Sequence, residues 1–439
     1  MGVSRVVKII KKLGIVKFSF YVFLIVNALI VIIGMLGMCY PFLLSKREFN
    51  NNFLFYNLHL VADSKNTLMD YFNSIQYGKF PYSNGVIYPP FINMIFAMLR
   101  KMIPTELSVG DAFALRFSKE GLESIVVFFV ISVLVYCIAL KGLKGFTLGE
   151  KIFIGIGLCF TIPTVYCFER GNCIFLCVSC TMIFVNWYKS PNKIERLLAI
   201  IAIAVASGIK LYPAIFGLLL VREHMWKETW ITIFIGLIVV FLPFFYFAPN
   251  NRSICLWASN IINCSNDFQN ESLGLGFRLD ITNMMKFFEE LLNKKLTFLT
   301  QIILLFIVVF DLSLVLFDKK MSEWETVTLL TLLIIWVPGF SWTYTMMFIY
   351  VPLVLFLNEK NKKLNYFFVF VFIGACSFIP ISNQYSLFFK FNDGVKYPIG
   401  ITTFIENLSL LLLGFGILTK LIVSFKNECF SKISSCKIK

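Results

Sequence analysis

The sequence predicts an all-α integral membrane protein, a bundle of about ten spanning helices plus a broken helical hairpin, with further helices in its extracytoplasmic loops. Three observations predict it. Hydrophobic residues make up 58% of the 439-residue chain and charged residues only 15%, a balance that no soluble core absorbs. The apolar residues fall in runs near the roughly 20 residues a helix needs to cross about 30 Å of hydrocarbon. Lysine and arginine cluster in short segments between those runs, so the net charge of +15 sets orientation and implies no nucleic-acid partner.

The apolar runs are 17–44, 122–140, 151–168, 172–187, 229–248, 297–317, 325–338, 341–357, 364–381 and 401–424. The first is too long for a signal-peptide core and lacks a small-residue cleavage site. Two shorter pieces, 197–208 and 212–221, flank Lys210-Leu211-Tyr212-Pro213 and form the broken hairpin. Irregular backbone at membrane depth survives only where protein or a wet cavity satisfies it, so this pair is expected to line a cavity.

Orientation follows from the basic loops. Arg5, Lys8, Lys11 and Lys12 precede the first run, Lys141, Lys144 and Lys151 share one loop, and Lys189, Lys193 and Arg196 share another. The positive-inside rule makes these cytoplasmic, with both termini, provided that 86–103 does not span and that 197–221 enters and leaves on the cytoplasmic side as a helical hairpin. The chain then reads as a single polytopic domain over 1–439. Its two long extracytoplasmic segments are 45–121 and 249–296, and function is expected on that face.

Twelve cysteines are scattered, mostly inside apolar runs where cysteine acts as a small hydrophobe. Cys177 and Cys180 form a CxxC with no second pair, so no metal or cofactor is expected. Cys255 and Cys264 share the second long loop, where a disulfide is possible.

The first loop contains Asp63 and Asp70 ahead of Gly78-Lys79-Phe80-Pro81-Tyr82 and Tyr88-Pro89-Pro90. If 63–76 is helical, Asp63 and Asp70 share a face, since residues seven apart differ by about 20° in azimuth. One such carboxylate suits general-base work on a hydroxyl; the alternative is a pair of ordinary surface carboxylates.

This first-loop pattern resembles that of the GT-C glycosyltransferases, in particular the polyprenol-phosphate-mannose-dependent mannosyltransferases of glycosyltransferase family 87. Three later stretches look like the same family in the same order. They are Arg170-Gly171-Asn172 where the family has Gly-Gln, Lys210-Leu211-Tyr212-Pro213 as Lys-x-Tyr-Pro, and Ser341-Trp342 after Pro338 as Pro-x-Ser-Trp.

The resemblance implies a hexosyltransferase, most simply a mannosyltransferase, with a polyprenyl-phosphate-linked sugar donor, a lipid or glycan acceptor and membrane lipids as its partners. Carried over by spacing to Gly78, the base is Asp63, with Asp70 as understudy. The departing phosphate would need Lys210 and Arg170, with His59 able to approach it. Lys210 alternatively snorkels from a helix end, and Arg170 alternatively pairs with Glu169. Tyr82, Tyr88, Asn172, Tyr212, Trp342 and Tyr344 are the candidate substrate contacts, though Tyr82, Tyr88 and Trp342 also suit an interfacial belt. Thr343 and Tyr344 stand where the family often has histidine after Ser-Trp.

Two other classes compete. A lipid-oligosaccharide flippase or transporter would carry ionisable residues through several spanning helices, whereas Asp311 and Glu406 are the main ones here. A polysaccharide polymerase or ligase would favour Arg-rich outer loops.

Overall fold

The apolar runs become helices in chain order. The computed structural model describes residues 14–39, 68–104, 112–249, 252–270, 278–339, 341–359, 365–377, 387–390, 396–399 and 401–436. Helix α1 (Ile15–Cys39) is followed by the short α2 (Met69–Ile75), α3 (Pro90–Arg100), α4 (Ala112–Phe117) and the long α5 (Lys119–Lys141). Next come α6 (Leu148–Cys159), α7 (Ile162–Arg170), α8 (Ile174–Trp187) and α9 (Lys193–Ile209). A 3-10 segment, Tyr212–Gly217, leads into α10 (Leu218–Arg222), then α11 (Trp226–Phe241) and α12 (Ser253–Asn270). The chain continues through α13 (Ile281–Leu292), α14 (Thr297–Phe317), α15 (Glu323–Trp336), a 3-10 segment Thr343–Ile349, α16 (Tyr350–Phe356) and α17 (Asn365–Cys376). A small antiparallel hairpin, β1 (Leu387–Lys390) with β2 (Lys396–Ile399), precedes α18 (Ile401–Cys436).

Local chemistry fixes the helix starts. Ser118 accepts from the Gly121 N–H at the head of α5, and Asn192 accepts from the Ile194 N–H at the head of α9. Thr147 with Glu150 and Ser322 with Glu325 form reciprocal capping boxes at α6 and α15. Each cap stabilises its helix by about 0.5–2 kcal/mol.

Among the described residues, five helices are long and apolar enough to cross a membrane: Ile15–Ile33, Lys119–Lys141, Trp226–Tyr246, Thr297–Phe317 and Thr402–Val423. The α6–α7 pair, bent by 60° at Phe160-Thr161, makes a sixth if it counts as one span. Four other expected runs form helices too short to pass as spans by themselves. The runs 172–187 and 325–338 become the 14-residue α8 and α15, 341–357 starts as a 3-10 segment, and 364–381 becomes the 12-residue α17. Both α8 and α15 are buried along almost their whole length. A helix sheathed by protein need not itself match the hydrocarbon thickness, because its neighbours meet the lipid. At 11 residues, α3 is too short to span, as the orientation requires.

The bundle closes around α8, which packs along α5 and α9, while α9 packs on α11. Gly208 of α9 makes this approach possible: a Cβ there would lie 2.6 Å from Val239 and 2.9 Å from Phe91. The broken hairpin is present, with α9 ending at Ile209, Lys210 extended, and the Tyr212–Gly217 turn folding back against α9 and α15. Cys255 and Cys264 sit nine residues apart on the one helix α12. That spacing rises about 13 Å, well beyond disulfide reach.

Candidate active site

The bend between α6 and α7 creates the ground on which the site stands. Pro163 starts α7, and the break is held by Tyr350 of α16, whose hydroxyl meets those of Thr161 and Thr164, the latter at 2.8 Å. At the far end, α7 stops at Gly171 in the left-handed region, with φ of 65°. A side chain there would be strained, and its Cβ would fall 3.1 Å from Tyr71 and 3.2 Å from the Leu68 backbone. This glycine lets α2 lie directly on the end of α7. The Leu68 N–H donates to the Glu169 carbonyl at 2.7 Å and fixes the contact.

Docked this way, α2 presents Asp70 from its first turn to two donors from the α7–α8 connection. Arg170 donates to Asp70 Oδ1 from Nη2 at 2.6 Å and from Nε at 3.1 Å. Asn172 Nδ2 donates to Asp70 Oδ2 at 2.7 Å. The Asn172 amide has no freedom to turn, because its Oδ1 accepts the Ile174 N–H at 3.0 Å. The same Nδ2 reaches the Tyr88 hydroxyl at 3.2 Å. Two carboxylate oxygens offer about four lone-pair sites. Among the described residues three are taken, and the last, on Oδ2, remains for a bound hydroxyl.

Tyr88 joins this anion to a cation. The Lys210 ammonium stands 4.1 Å from the centre of the Tyr88 ring, a contact worth about 0.5–2 kcal/mol. Burial pushes the Tyr88 hydroxyl well above the ordinary tyrosine range, and the neighbouring Cys173 and Asp70 push the same way. It therefore stays protonated. Since it accepts from Asn172, its own O–H is left to donate to a bound oxygen. Cys173 lies in electrostatic range of both Lys210 and Asp70, so this cation and this anion flank the same thiol.

The other candidates fall around this cluster. Tyr344 stacks on Tyr166 with ring centres 5.9 Å apart and interacts electrostatically with Asp70 and Arg170. Tyr212 sits edge-on to Phe348 at 5.6 Å. Tyr82 is neither a belt residue nor open to a sugar, because its ring is buried against Phe244 and Phe247. Its hydroxyl accepts from Asn93 at 3.1 Å, and Asn93 also donates to the Tyr88 carbonyl at 2.9 Å, so Tyr82 supports the Tyr88 backbone. Trp342 pairs with Arg278 through a backbone bridge. Asp63 and His59 lie outside the described residues.

Two of the alternatives left open by the sequence are not what the structure shows. Arg170 pairs with Asp70 and not with its neighbour Glu169, because consecutive helical residues point about 100° apart. The Glu169 carboxyl is buried with no hydrogen-bond partner among the described residues. Lys210 does not snorkel away: it lies half-buried over Tyr88 and reaches the acid's surroundings through that ring.

One residue pair escaped the sequence reading. Arg278 and Asp280, 1% and 0% exposed, pair at 2.9 Å, and Arg278 also donates to the Gly339 carbonyl at 2.5 Å. Together with the Leu279 N–H on the Ser341 carbonyl, they fasten the second long loop to the Ser341-Trp342 turn. The Arg-x-Asp doublet itself was the available signal.

Comparison with known proteins gives one family. The model of glycosyltransferase family 87 matches residues 87–337, more than half of the chain. The match covers Tyr88, Arg170, Asn172, Lys210 and Tyr212 and ends before Trp342, while Asp70 lies upstream of it. No curated protein and no solved structure matches the chain.

Proposed function

This chain belongs to glycosyltransferase family 87, and on that footing we propose that it moves a hexose, in the first instance mannose, from a polyprenyl phosphate to a lipid-linked or cell-surface glycan with inversion. The observation that carries this reading is the Asp70 carboxylate, held by Arg170 and Asn172 with one lone pair open, beside Tyr88 and Lys210.

In this reading the acceptor hydroxyl donates to Asp70 Oδ2 and loses its proton there as its oxygen attacks the anomeric carbon. The bond from that carbon to the phosphate oxygen breaks on the opposite face, and the lipid phosphate leaves with the electron pair. One carboxylate suffices, unlike the pair that hydrolases need. Charge develops on the departing phosphate, where the Lys210 ammonium and the Tyr88 O–H meet it. Arg170 acts through Asp70 and orients it. Tyr212, Tyr344 and Trp342 flank the sugar. The basic loops support cytoplasmic termini and a site on the extracytoplasmic side, built from the 45–121 segment and closed by 249–296.

The test is transfer by purified protein in liposomes offered labelled polyprenyl-phosphate-mannose, polyprenyl-phosphate-glucose or a nucleotide-linked mannose. The expected result is transfer from a lipid-phosphate donor, to a product whose anomeric configuration is opposite to the donor's. Transfer from the nucleotide sugar alone, or retained configuration, would overturn the proposal.

A further inference from the structure

A cavity of about 360 Å³ opens between α13, α14, α15 and α18. Its wall is almost wholly apolar, from Met284 and Phe288 through Ile307 to Ile417. At its rim Phe306 and Phe415 are 63% and 62% exposed. In a bilayer that rim faces lipid, so access is lateral and the occupant is drawn from the membrane.

Two polar atoms interrupt this wall. Asp311 and Trp336 both line the cavity, each 7% exposed. Asp311 Oδ2 and Trp336 Nε1 are both buried with no hydrogen-bond partner among the described residues. Leaving such groups unpaired in apolar surroundings costs about 1–3 kcal/mol each, so an occupant that pairs both gains twice. An indole N–H only donates, whereas a carboxyl oxygen accepts. A hydroxyl is the smallest single group that answers both, accepting from Trp336 and donating to Asp311.

We propose that this cavity binds a neutral membrane lipid bearing one free hydroxyl on a long apolar chain, with the hydroxyl between Trp336 and Asp311 and the chain leaving past Phe306 and Phe415. Binding here requires no sugar transfer and stands apart from the reading of Asp70.

The test is photolabelling of the purified protein in detergent with a diazirine-bearing long-chain alcohol, competed by oleyl alcohol, oleyl methyl ether or octadecene. Label is expected on peptides of α14 and α18. Oleyl alcohol should compete at roughly 30-fold lower concentration than octadecene, with the methyl ether, which can only accept, roughly fivefold below octadecene, since each hydrogen bond contributes about 1 kcal/mol. Trp336→Phe keeps the ring and removes the N–H, and Asp311→Leu removes the acid. Each should raise the half-competing alcohol concentration about five- to tenfold and leave octadecene unchanged. Equal competition by alcohol and octadecene on the wild type, label elsewhere, or wild-type competition in both variants would overturn the proposal.

Discussion

Arg170 holds Asp70 across 100 residues of sequence, with two guanidinium nitrogens on the single oxygen Oδ1. The pair joins the first-loop helix α2 to the end of α7 and turns the other carboxylate oxygen toward Asn172 and the open side of the site. Both side chains are largely shielded from water, so the contact falls outside the weak class of surface ion pairs.

That pairing predicts non-additive stability. Arg170→Met and Asp70→Asn should each lower stability by about 1.5–3 kcal/mol, the range for hydrogen bonds to charged groups. The double variant should lose less than the sum of the two. Thermal unfolding of the four proteins in detergent measures the coupling.

Gly171 should tolerate no side chain. Alanine there incurs the left-handed backbone cost of about 1–2 kcal/mol and presses on Tyr71 and Leu68. Gly171→Ala should therefore unfold at lower temperature and also lose activity beyond what its stability explains, since α2 must lift and carry Asp70 with it. Activity assayed well below the unfolding temperature separates the two effects.

How much of this was legible in the sequence depends on which contacts were local. The apolar runs and basic loops located the helices, and Pro213 after Lys210 marked the broken hairpin. The true helix lengths were not legible, because a run such as 172–187 reads alike whether lipid or protein surrounds it, and α8 is buried by protein. Among the site residues, Asp70, Arg170, Asn172, Tyr88 and Lys210 were all named from sequence. The ranking of Asp63 above Asp70 rested on spacing to Gly78, and spacing carries no information about which carboxylate meets Arg170. The Arg278–Asp280 doublet was visible in the sequence, but its fastening to the Gly339 turn was not, because that turn is 61 residues away.

Lys210 and Tyr88 should separate in kinetics. Lys210→Gln removes the cation and should raise KM for a lipid-phosphate donor while also lowering kcat. Tyr88→Phe keeps the ring beneath Lys210 and removes only the O–H, so its loss should fall mainly on kcat, by roughly 10- to 100-fold if the hydroxyl donates to the leaving phosphate. Steady-state kinetics with varied donor checks both.

The Arg278–Asp280 pair should be costly to break and cheap to replace. Arg278→Met or Asp280→Leu leaves a buried charge unpaired and should destabilise by about 3–5 kcal/mol. The double variant should recover most of that loss. Unfolding temperatures of the singles and the double read it directly.

The most direct test is single-turnover sugar transfer at saturating lipid-phosphate donor, comparing wild type with Asp70→Ala and Asp63→Ala. If Asp70 is the base, its removal slows transfer by about 10²–10⁴-fold while Asp63→Ala stays near wild type. An Asp70→Ala protein that is folded and transfers sugar at more than half the wild-type rate would contradict the account.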